Sequence, residues 1–175
     1  MIPASRLLLS ALAGSVLLTG LFAQAPAPKL AFPSTNPQGV IKQRVGLTDI
    51  EVTYNRPGVK GRKIFGALIP YGQIRRTGAD AATRISFSAP VTLNGTAVPA
   101  GTYEVFTIPG EAEWTVILQA VKEKAQWGSY AYDQKNDTAR FMAKPRTAAN
   151  PVETFAFGFN NLRDTSATLN LFWEN

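Results

Sequence analysis

Thr154-Phe155-Ala156-Phe157-Gly158-Phe159 decides the fold class. Three rings alternate with smaller residues, a period of two that buries one side of a pleated strand. The same alternation recurs upstream in Asp49-Ile50-Glu51-Val52-Thr53-Tyr54, where Ile50, Val52 and Tyr54 share a face. Further strands are expected over 84–88, 91–93, 103–108, 113–119, 139–143, 152–159 and 167–173. From Ile41 onward no stretch carries apolar residues at helical spacing.

The turns agree with that reading. Asn94-Gly95 is a two-residue hairpin signal, because both positions of a type I′ turn need positive φ. Pro99-Ala100-Gly101 and Pro109-Gly110-Glu111 bracket the strand that follows. Residues Asp133 to Asp137 and Asn160 to Asp164 are expected as two more hairpin tips. About eight to ten short strands at such spacing predict an all-β protein, an antiparallel β-sandwich.

Composition narrows the setting. The 175 residues suffice for one domain with an ordinary core, and 45% hydrophobic with 17% charged residues is globular usage. The formal charge of +6, 18 basic against 12 acidic residues, is spread along the chain. That is not the dense basic tract of a nucleic-acid binder, so no nucleic acid is expected. A modest basic excess suits contact with anionic sugars or head groups.

At the start, Arg6 precedes the uncharged run Leu7 to Phe22, and Ala23-Gln24-Ala25 offers small residues for cleavage. This reads as a signal peptide over 1–23, cut near Ala23, giving an exported protein, periplasmic or secreted. The run is shorter than the roughly 20 apolar residues that cross a bilayer, so the mature form is expected to have no span. Residues 24–39, with Pro26, Pro28, Pro33 and Pro37, read as a tether, and 40–175 as a single sandwich domain.

Between Asn55 and Ala82 the alternation stops. That stretch is too long for a structureless loop in a compact domain, so it must pack or bind something. Ile64 to Ile69 is expected to make a short helical turn, ended by Pro70. The stretch also concentrates cations and tyrosines. With two aromatics from Trp127-Gly128-Ser129-Tyr130-Ala131-Tyr132, the candidate binding residues are Tyr54, Arg56, Lys60, Arg62, Tyr71, Arg76, Trp127 and Tyr130. Continued alternation puts Arg56 inward, where its guanidinium must find a carboxylate, backbone carbonyls or an anion. The alternative is that these arginines pair with internal acids such as Asp80 or Glu153 and staple the loop. For the aromatic run, alternation sets Tyr130 and Tyr132 on one side and Trp127 on the other, which favours core or edge packing.

These residues carry a resemblance. Tyr54-x-Arg56-Pro57-x-Val59-Lys60-Gly61-Arg62-x-Ile64-Phe65-Gly66, then Pro70-Tyr71-Gly72 and Arg76-Thr77-Gly78-Ala79, resemble the bacterial domain-of-unknown-function family 2911. The likeness continues through Pro99 to Tyr103, Phe106 to Gly110, Glu113-Trp114-Thr115 and Gln126-Trp127-Gly128, covering about residues 40 to 174. It implies an exported β-sandwich of the bacterial envelope and brings no activity with it. Arg75 stands where the family usually has tryptophan.

Chemistry is bounded by what is missing. With no histidine and no cysteine, Ser-His-Asp and Cys-His pairs, the usual zinc sites and histidine-ligated haem are excluded. Neither a phosphate loop nor a dinucleotide turn occurs. Asp133, Asn136 and Asp137 lack the ligand spacing and glycine of a calcium loop. No cofactor or metal is expected, and no catalytic residue is singled out. Three functions stay open: a non-enzymatic binder of an anionic small molecule, glycan or envelope protein; a structural or interaction protein; and a carbohydrate-active enzyme with an unidentified carboxylate pair. The reading leans away from an enzyme.

Overall fold

The computed structural model describes residues 32–121 and 126–175. Residues 1–31, which hold the expected export signal and the start of the expected tether, lie outside the described residues, as do 122–125. Eleven strands follow one another: β1 (Gln38–Val45), β2 (Thr48–Asn55), β3 (Arg75–Arg76), β4 (Thr83–Phe87), β5 (Val91–Leu93), β6 (Thr96–Val98), β7 (Gly101–Ile108), β8 (Trp114–Ala120), β9 (Asp137–Ala143), β10 (Val152–Asn160) and β11 (Thr168–Glu174). All named strand pairs are antiparallel. The main sheet runs β1-β2-β4-β7-β8-β9, and β3 pairs with β7 as well; β10-β11 and β5-β6 are separate hairpins. The result is a sandwich, not a closed barrel.

The alternation read in the sequence builds the core. Val52 and Tyr54 on β2, Ile85 and Phe87 on β4, Tyr103 and Val105 on β7 and Leu118 on β8 point to one face. Against that face lies the β10-β11 hairpin, whose Phe155, Phe157, Phe159, Leu169, Leu171 and Trp173 close the core. Tyr54 meets the Phe157 ring edge-on at 5.0 Å, and Phe155 meets Trp173 at 5.5 Å. Such pairs add about 0.5–1.5 kcal/mol each beyond burial.

Central strand β7 is covered on both sides. On its outer face Phe106 joins Ile117 and Ala82 in a second, smaller cluster under Tyr132. The cover comes from the connection between β8 and β9, whose described part starts again at Gln126.

Several expectations need correction. Strand β1 precedes the first strand named from sequence; its side chains alternate between exposed and half-buried, as an edge strand allows. Ile64 to Ile69 makes no helical turn. The Ile69 N–H bonds to Ile64 C=O at 2.8 Å and the Gly66 N–H returns to Ile69 C=O at 2.9 Å, closing a tight loop. Burial drives this, because Ile64 sinks fully into the core and Phe65 stacks edge-on against Trp114 at 5.0 Å. Asp133 to Asp137 is not a hairpin tip either. Asp133 caps a 3-10 turn (Gln134–Asn136) by accepting from the Lys135 N–H, at the end of the β8–β9 connection. Asn94-Gly95 does form the expected turn, with φ of 47° and 87°.

Candidate functional site

The eight candidate residues divide among three places. Tyr54 is core, 4% exposed. Beside it Arg56 is half-buried, donating Nε–H to Phe155 C=O at 3.2 Å while its backbone N–H reaches Pro37 C=O at 3.0 Å. Of the partners that sequence allowed its guanidinium, a backbone carbonyl is the one used. The following residues lie along β10: Val59 N–H bonds to Glu153 C=O, Phe155 N–H to Pro57 C=O, and Lys60 N–H to Glu153 Oε1 at 2.9 Å. Arg62 turns back on its own loop, donating to Val59 C=O at 2.9 Å and Gly58 C=O at 2.6 Å. The Arg56 side chain thus ties the loop to the second layer, and the Arg62 side chain braces the loop on itself. They do so mostly through carbonyls rather than through the acids that sequence suggested. Tyr71 lies against Gly66 in the tight turn.

Arg76, Trp127 and Tyr130 form a different group. Residues 126–129 lie across the outer face beside 80–82: Ala82 N–H bonds to Gln126 C=O at 3.0 Å, and Gly128 N–H to Asp80 C=O at 3.3 Å. Ala81 and Trp127 form a β-bridge. From β3, Arg76 reaches out so that its guanidinium carbon lies 5.9 Å from the centroid of the Trp127 ring. That cation–π contact contributes about 0.5–1 kcal/mol at an exposed site. Trp127 is 64% exposed and Tyr130 is 90% exposed.

The expected core or edge packing of Trp127 and Tyr130 is therefore overturned. Residues 128–131 are a turn, not a strand, so alternation does not apply. Gly128 at φ +71° reverses the chain and carries Tyr130 back over itself. A Cβ there would lie 2.7 Å from Tyr130 Cε2 and 3.3 Å from an Arg76 terminal nitrogen. The glycine is thus the floor on which the ring and the guanidinium meet.

Beneath this surface runs a polar network that sequence reading missed. Glu104 is fully buried, accepting from the Gln126 backbone N–H at 2.9 Å with Arg84 3.7 Å away. Gln126 Nε2 donates to Gln119 at 3.3 Å, and Gln119 donates to Asp133 C=O at 2.8 Å and Asp137 at 2.9 Å. Asp137 also accepts from Tyr132 OH at 3.0 Å and from Arg140 at 2.9 Å. Burial pushes the Tyr132 phenol up from its ordinary value, and the Asp137 carboxylate adds to that. Desolvation lowers Arg140, but the bond to Asp137 leaves it raised overall. One signal was available in the sequence: Glu104 shares its face with Phe106 and Ile108, which marks that side as covered.

A broad depression of about 560 Å³ lies elsewhere, along β1, β2 and β4. Its charges satisfy one another, Lys42 with Glu51 at 2.7 Å and Arg44 with Asp49 at 3.2 Å. Among the described residues no group of three metal-ligating side chains occurs, and no helix is long and apolar enough to cross a membrane.

Residues 36–175 match the family described as Protein of unknown function (DUF2911). Comparison with curated proteins and with solved structures gave no match.

Proposed function

The chain belongs to the DUF2911 family of proteins of unknown function, and within it we propose an exported, non-enzymatic binder of acidic glycans. One observation carries the reading: two exposed rings, Trp127 and Tyr130, flank the Arg76 guanidinium on a floor formed by Gly128. Exposed rings offer the apolar face of a sugar a stacking surface, while the guanidinium forks to a carboxylate or sulfate. Glu104, the carboxylate below, is sealed under Gln126, which supports binding rather than turnover. The export signal read at 1–23 supports an envelope glycan as the class of ligand.

A structural role is the second reading for the other arginines. It is favoured by Arg56 and Arg62 donating to backbone carbonyls of β10 and of their own loop.

Titration with acidic and neutral oligosaccharides, read by tryptophan fluorescence and calorimetry, tests both. Acidic glycans are expected to bind, with Trp127→Ala and Arg76→Gln each weakening affinity about tenfold or more, roughly 1.4 kcal/mol. Arg62→Ala is expected to leave affinity unchanged and to lower stability slightly. No binding by any acidic glycan, or binding indifferent to Trp127→Ala, sinks the proposal.

A further inference from the structure

Strand β3 sends two consecutive arginines to opposite faces. Arg76 pairs with Phe106 and turns outward, whereas Arg75 pairs with Thr107 and turns towards the second layer. There, among the described residues, Arg75 Nε is shielded from solvent with no hydrogen-bond partner. Trp173 on β11, 6% exposed, leaves its indole Nε1 in the same condition. Two orphaned N–H donors are costly unless something accepts from them.

Both residues line one narrow cavity of about 10 Å³, room for a single water-sized occupant. Thr77 and Thr107 line it too, their hydroxyls bonded to each other at 3.4 Å, which leaves one hydroxyl proton of the pair to donate. The remaining walls include Phe65 and Leu171, and the lining holds no side-chain carboxylate or amide oxygen. Pro109 C=O already accepts from the Gly72 N–H at 2.8 Å. An occupant therefore meets N–H and O–H donors, the Arg75 charge, the two threonine hydroxyl oxygens and apolar walls. A monatomic anion can accept from these donors together, with no proton of its own to place.

We propose that this cavity binds a halide ion, held by Arg75 Nε–H and Trp173 Nε1–H, tying β3 to β11. The guanidinium offsets the desolvation of the ion, which would be prohibitive for an unpaired charge. Arg76 borders the cavity as well, so an ion there fixes the strand from which the Arg76 guanidinium reaches Trp127.

Thermal unfolding of the purified chain in sodium chloride, bromide or gluconate at equal ionic strength tests this. Chloride and bromide are expected to raise the midpoint in a saturable way, by several degrees at high occupancy, and gluconate is not. Trp173→Phe leaves a smaller aromatic ring in place and removes the N–H, so the halide-specific rise should vanish. Should that variant fail to fold, anomalous scattering from bromide in crystals of the unmodified chain decides the matter. A bromide peak between Arg75 and Trp173 supports the site. Equal midpoints in chloride and gluconate, a rise that survives Trp173→Phe, or no bromide peak overturns it.

Discussion

The Glu174 carboxylate grips the Ile64 turn, one oxygen accepting the Ile64 N–H at 3.0 Å and the other the Phe65 N–H at 3.1 Å. A residue of β11 thereby satisfies two backbone donors of the loop that plugs the sandwich. Glu174→Gln keeps the shape but turns one of the two acceptors into a donor. The expected loss is about 1–3 kcal/mol of unfolding free energy by chemical denaturation. No change in stability would mean that the turn is held by Ile64 burial alone.

Gly128→Ala should separate the site from the fold. The new methyl collides with the Tyr130 ring, which is exposed and able to swing away, and it sits on a backbone with φ +71°. The expected stability cost is modest, about 1–2 kcal/mol. Glycan affinity should fall as far as for Trp127→Ala, because the ring and the guanidinium lose their common floor. Calorimetric titration beside thermal melts of the variant checks both parts.

Tyr132 makes alkaline stability depend on one phenol. Its folded value is raised above the ordinary 10.0, first by burial and then by Asp137, so the folded state holds the proton more tightly than the unfolded chain. The contribution is fully present below about pH 10 and is lost as pH rises through the folded value. Tyr132→Phe should flatten that alkaline decline and remove a late tyrosinate from the ultraviolet titration. It should also cost about 1 kcal/mol at neutral pH, because Asp137 and Arg140 lose a partner. An unchanged alkaline slope would refute this assignment.

The sandwich was legible because its strands obey a local rule. Phe155, Phe157 and Phe159 reach the core as the alternation requires, and Asn94-Gly95 turns as its backbone preference demands. Strand β1 was hidden because an edge strand needs little apolar surface, and Lys42, Gln43 and Arg44 supply little. The site was half legible. Arg76, Trp127 and Tyr130 were named from sequence, yet their exposure depended on a reversal at Gly128 that no periodicity announces. Arg56 and Arg62 looked like the same kind of residue as Arg76. Only tertiary position tells them apart: Arg56 finds its partner far along the chain on β10, while Arg62 folds back onto Val59 and Gly58.

Adjacent antiparallel strands such as β8 and β9 can be joined by about two residues. Here the chain instead runs from Ala120 to Asp137 by way of the segment carrying Gln126, Trp127 and Tyr130. Both ends of that excursion are pinned to neighbouring rungs of one ladder. Gln126 and Tyr132 must stay, because they cover Glu104 and Phe106, whereas the exposed side chains of Trp127 and Tyr130 can be exchanged without uncovering the layers. Under the proposed function, changes confined to those two positions would retarget the same frame while its cover stays in place.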